Sequence, residues 1–130
     1  MKNLILSALF LVLTISSYAQ TTFTCKSRET CWYDVKTETF NQCSDVSFDN
    51  SVFVMNANED ILVHKTSSMT SSYYVIATEV EEKFITYSVI SDVGNEYIVI
   101  FDVDKMLIKY MGVDTNGNMF LTMYGIKSVF

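Results

Sequence analysis

The stretch Glu96-Tyr97-Ile98-Val99-Ile100-Phe101-Asp102-Val103-Asp104-Lys105-Met106-Leu107-Ile108-Lys109-Tyr110-Met111-Gly112-Val113 decides the fold. Two runs rich in Ile, Val, Tyr and Phe, Tyr97 to Phe101 and Leu107 to Met111, are divided only by a short polar reversal around Asp104-Lys105. Such residues suit pleated strands. A parallel crossover needs a dozen or more residues, so a connection this short joins antiparallel neighbours.

The same reading extends in both directions. Glu81-Glu82-Lys83 divides the run from Tyr73 to Val80 from the run that starts at Phe84, and Asp92-Val93-Gly94-Asn95 ends that second run. Asn56-Ala57-Asn58-Glu59-Asp60 separates a strand around Val52 to Met55 from one around Ile61 to Lys65. Asp114-Thr115-Asn116-Gly117-Asn118 is the strongest hairpin signal, with positive φ expected at Asn116-Gly117. Proline is absent, and no eleven-residue window carries a helical apolar period. From about Val46 onward the chain therefore reads as a meander of seven strands, with Thr22 to Cys25 and Cys31 to Lys36 adding one or two more.

This predicts an all-β fold, a small antiparallel meander of about 7–9 strands. A closed up-and-down barrel and a two-layer sandwich both hide one apolar face and manage the sheet edges. The meander resembles the lipocalin-type small barrels in architecture. It carries no lipocalin signature residues: no Gly-x-Trp stands near its start, where Trp32 follows Thr30 and Cys31.

The N-terminus reads as a targeting segment. Met1-Lys2-Asn3 gives a short positive start, residues 4–15 are apolar except Ser7 and Thr14, and Ser17 and Ala19 place small residues at a cleavage point. The run is shorter than the roughly 20 apolar residues a membrane helix needs. Residues 1–19 are thus expected to be a signal peptide cleaved after Ala19, and residues 20–130 a single β-rich domain, secreted or periplasmic and without a stable membrane anchor. Residues 20–130 keep eight of the nine Lys and Arg and all fifteen acidic residues, a formal charge of −7. Nucleic acids and anionic membranes are bound mainly through clustered Lys and Arg, so neither is an expected partner.

Cys25, Cys31 and Cys43 are the disulfide candidates, and the spacing leaves all three pairings open. An oxidising compartment allows one intramolecular bridge, and the remaining thiol is expected to be buried or to pair with another chain. Trp32, beside Cys31, is expected to plug one end of the core against that bridge. The single histidine, His64, alternates away from Ile61 and Val63 on its strand. No C-x-x-C knuckle or other ligand spacing accompanies it, so neither a metal site nor a Cys-His nucleophile is expected. Asp114 to Asn118 starts like a calcium loop, but Gly117 stands fourth rather than sixth and no glutamate follows at the twelfth position. No G-x-S-x-G, P-loop or dinucleotide fingerprint occurs. The sequence therefore proposes no catalytic residue, no metal and no cofactor, and the chain is not expected to be an enzyme.

Its most informative feature is that the central strands are apolar on both sides. Tyr97, Val99 and Phe101 oppose Ile98 and Ile100, while Met106, Ile108 and Tyr110 oppose Leu107 and Met111. Either another segment covers both faces, the candidate being the irregular stretch Arg28 to Asp45, or one face is a contact surface. Tyr73, Tyr74, Tyr97, Phe101 and Tyr110 are the candidate ligand or partner surface. Thr66 to Ser72 reads as a polar loop that could cover one barrel mouth. The expectation is a non-enzymatic binding module for a small apolar or aromatic ligand; the alternative is a structural or protein-interaction protein outside the cytoplasm.

Overall fold

A computed structural model describes residues 20–130; the expected leader and its cleavage point, residues 1–19, lie outside the described residues. Among the described residues ten strands follow one another without a helix: β1 (Thr21–Asp34), β2 (Thr39–Cys43), β3 (Ser47–Phe48), β4 (Val52–Met55), β5 (Ile61–Lys65), β6 (Thr70–Val80), β7 (Phe84–Ser91), β8 (Glu96–Asp102), β9 (Leu107–Val113) and β10 (Met119–Val129). All belong to one antiparallel sheet, and β10 returns to pair with β1. The sheet is a closed eight-stranded barrel, β1 and β4 to β10, with β2 and β3 as two extra strands on β1.

Closure, rather than a second layer, resolves the choice between barrel and sandwich. Strand β1 is long enough to serve as both the first wall and the seam: it pairs β10 from Phe23 to Trp32, while its other edge meets β4, β3 and β2 in turn. A bulge near Cys25 lets it bend as it does so. The segments 22–25 and 31–36, expected to add one or two strands, therefore belong to one continuous strand, which ends at Asp34. The stretch 28–45 covers no sheet face; it is the second half of β1, the β2 hairpin and a link, held in plane by ladder hydrogen bonds. The seven-strand meander begins at Val52, not Val46.

Turn chemistry fixes the registers. Asp114 accepts bonds at its Oδ1 from the amides of Asn116 and Asn118, and only Gly117 takes positive φ, 84°, so Asn116 does not share that conformation. This is a type I turn closed by a left-handed glycine, a common longer hairpin loop, rather than the expected two-residue form. The connection expected at residues 66–72 shrinks to residues 66–69, because Thr66 Oγ1 accepts from the amides of Ser68 and Met69 and closes the turn. Thr70, Ser71 and Ser72 pair with Lys65, His64 and Val63 instead of forming a lid.

Alternation then fills the interior. Phe53, Met55, Leu62, Tyr73, Tyr87, Val89, Val99, Phe101, Ile108, Tyr124 and Ile126 point inward as one cluster, joined by Cys25. Leu62, Val89, Val99 and Ile108 at its centre are wholly enclosed. The opposite stripe of β8 faces outward, and Ile98 on it is 41% exposed. No helix among the described residues is long and apolar enough to cross a membrane.

Candidate functional site

The five candidate residues do not form one surface. Tyr73, Tyr97 and Tyr110 converge inside one end of the barrel: the rings of Tyr97 and Tyr110 stack at 4.9 Å, and Tyr73 meets Tyr97 edge-on at 5.7 Å. Tyr73 Oη and Tyr110 Oη share a 3.1 Å hydrogen bond, and burial pushes the Tyr110 hydroxyl far above its ordinary range. Phe120, tilted against Tyr110, and Trp32, edge to face with Phe120, extend the cluster and line this end with aromatic rings. Phe101 lies toward the other end, against Phe23 at 4.6 Å. Tyr74, its neighbour Tyr73 being inside, stands half exposed on the outer wall.

Trp32 is part of this aromatic end, but not against the disulfide. Cys31 and Trp32 are consecutive on β1 and so point to opposite faces, Trp32 toward Phe120 and Cys31 toward its cross-strand partner Cys43. The Cys31–Cys43 bridge staples β2 onto β1. Glu29 approaches the two sulfurs, but a disulfide has no thiolate to offer a metal. Cys25 is the free cysteine, and burial pushes its thiol up to about 11, with a hydrogen bond to Ser51 partly offsetting this.

His64 enters the interior between Phe53, stacked at 4.1 Å, and Tyr124, edge-on at 5.3 Å. Its Nε2 is buried without a hydrogen-bond partner, and burial lowers the imidazole pKa. Asp49 lies nearby but is engaged with Arg28 at 3.8 Å and with the amide and hydroxyl of Ser51. A nucleophile and base need a hydrogen bond between them, and none links His64 to a thiol or carboxylate among the described residues.

The open end is opposite the tyrosine cluster. There the ends of β1, β4, β7 and β8 and the turn between β4 and β5 frame a recess of about 170 Å³ lined by Thr21, Phe23, Met55, Glu59, Ile85, Tyr87, Phe101 and Val103. Phe23, Met55, Ile85, Tyr87 and Phe101 occupy inward positions of their strands toward this end, so alternation makes the walls apolar. Glu59 overhangs from the turn. Its carboxylate accepts a 2.9 Å hydrogen bond from Tyr87 Oη, and burial, together with that bond, holds the Tyr87 hydroxyl well above its ordinary range. Of the residues singled out in the sequence, only Phe101 belongs here. Glu59 and Tyr87 lie 28 residues apart, in a turn and a strand that no local pattern connects.

A second, shallower groove of about 300 Å³ runs over the outer wall of β7 to β10, with Ile98, Met111, Val113, Met119 and Glu96 along its sides. Comparison of the chain with protein-family models, with curated proteins and with solved structures finds no match.

Proposed function

We propose that this chain is an exported, non-enzymatic binding module that takes a small apolar or aromatic ligand in the open end of its barrel. The observation that carries the reading is the recess itself, an apolar bowl with two convergent polar groups in a barrel whose centre is otherwise filled by side chains. Ligand sites are typically concave, mostly apolar and furnished with a few placed polar groups. The volume limits the guest to a compact body, since an engineered cavity of about 150 Å³ takes up benzene. The Cys31–Cys43 bridge suits the oxidising compartment implied by the leader at residues 1–19.

The test is to purify the exported protein from its own host and identify by mass spectrometry what accompanies it. Val103→Trp fills the rim of the recess and is expected to remove that compound. A protein that carries nothing, and whose amide spectrum is unmoved by small aryl and alkyl compounds, overturns the reading.

The outer groove supports a second reading, association with another protein through the wall of β8 to β10, because Ile98, Val113 and Met119 are each at least 41% exposed. Sedimentation at high protein concentration, with Ile98→Lys as the comparison, separates the two readings: a monomer unaffected by the substitution counts against association of copies.

A further inference from the structure

Resting on the proposed recess, we infer that its ligand is a cation: a small molecule with one compact aromatic or branched alkyl body and a single ammonium group that pairs with Glu59.

Among the described residues, the carboxylate of Glu59 is the only charged side chain lining the recess. Tyr87 Oη holds one of its oxygens, and no Lys, Arg or His among the described residues forms an ion pair with it. A carboxylate offers about four lone-pair sites, so one hydrogen bond leaves acceptor capacity for a ligand donor. Tyr87 is itself buried, so the carboxylate is tethered to the barrel wall rather than left to swing in solvent. Phe23 and Phe101 supply aromatic faces and edges for the body of the guest, and Ile85 an aliphatic wall.

The surrounding charge agrees. The three turns that reach this end, residues 56–60, 81–83 and 103–106, carry five acidic side chains, Glu59, Asp60, Glu81, Glu82 and Asp104, and two basic ones, Lys83 and Lys105. An end so biased raises the local concentration of small cations and repels carboxylates. A neutral apolar guest would need no such rim, and an anionic one would meet repulsion both at the rim and at Glu59.

The test uses three matched probes on the full chain as processed by an exporting host: phenethylammonium, neutral 2-phenylethanol and 3-phenylpropionate, each titrated with amide shifts followed at Ile85 and Phe101. Phenethylammonium is expected to bind about tenfold more tightly than 2-phenylethanol, as a charge-assisted bond replaces a neutral one, and 3-phenylpropionate to bind most weakly. Glu59→Gln should erase the difference between the first two while leaving 2-phenylethanol binding in place. Tyr87→Phe, which frees Glu59 from its tether, should shrink the difference. Raised NaCl should do so as well.

If all three probes bind alike, if the carboxylate binds best, or if Glu59→Gln leaves the preference intact, the inference fails and the binding module stands. Shifts that gather away from the open end also overturn it. If none of the three moves any amide, this inference fails, and the binding reading fails with it when the exported protein also carries no compound.

Discussion

The imidazole of His64 lies nearly parallel to the ring of Phe53, centroids 4.1 Å apart and planes 6° apart, with its buried Nε2 facing no partner. A protonated imidazole there would lose hydration without gaining a hydrogen bond, which is why its pKa falls below the ordinary 6.5. The unfolded chain therefore binds the proton more readily than the folded one. Stability is at its full value above about pH 6.5, declines as pH drops through that value toward the lowered folded pKa, and levels off below it. Melting temperature measured between pH 8 and 5 should show this decline, and His64→Leu should flatten it. An unchanged slope in the variant would assign the acid sensitivity to carboxylates instead.

Gly112 is the one position on the inner face of β9 where a side chain is excluded. A Cβ there would collide with Cδ1 of Tyr97 and lie 2.7 Å from its Cε1, because the Tyr97 ring covers the glycine before stacking on Tyr110. Gly112→Ala should cost about 1–3 kcal/mol through overpacking. Chemical denaturation measures the loss, and a loosened Tyr97 ring should appear in the near-ultraviolet circular dichroism.

Cys31 and Cys43 are 12 residues apart in sequence and directly opposite across β1 and β2. Closing so short a loop stabilises by about 3 kcal/mol in the chain-entropy account. The Cys31→Ser, Cys43→Ser double variant should lose no more than that and keep its barrel, since β2 lies outside the closed ring. Loss of all far-ultraviolet strand signal would show that β2 is needed to hold β1 in place.

Cys25 should resist alkylation in the native protein. It is 4% exposed and its thiol is raised to about 11, so both access and thiolate are scarce at neutral pH. Iodoacetamide at pH 7.5 followed by intact-mass measurement should add nothing until denaturant is present, and then one group. Rapid labelling of the folded protein would mean that β1 opens readily at its bulge.

Although they left open which apolar stripe of β8 turns inward, Tyr97, Val99 and Phe101 or Ile98 and Ile100, the paired runs at 97–101 and 107–111, with the polar turns that flank them, were sufficient to specify strands and antiparallel neighbours. These follow from side-chain alternation and short connections, both local properties of the chain. The cysteine pairing did not follow, because all three spacings permit a bridge and only the register of β2 on β1 sets Cys31 opposite Cys43. Nor did the length of β1: its second half is polar in sequence and becomes a strand only because β10 pairs along it as far as Trp32.

The candidate site was legible in one residue, Phe101. Aromatic residues announce themselves in sequence, but which end of a barrel each one reaches depends on register and on the height at which its strand begins. Tyr73, Tyr97 and Tyr110 come to the aromatic end for that reason, and Phe101 to the open one. By itself the sequence determined the all-β class, the meander and the acidity, because composition and period two act locally. Only the tertiary structure decided that the sheet closes on itself, that the two extra strands stay outside the ring, and that Glu59 meets Tyr87 at its open mouth. Each of these needs contacts between residues distant in the chain, and local preference carries no information about them.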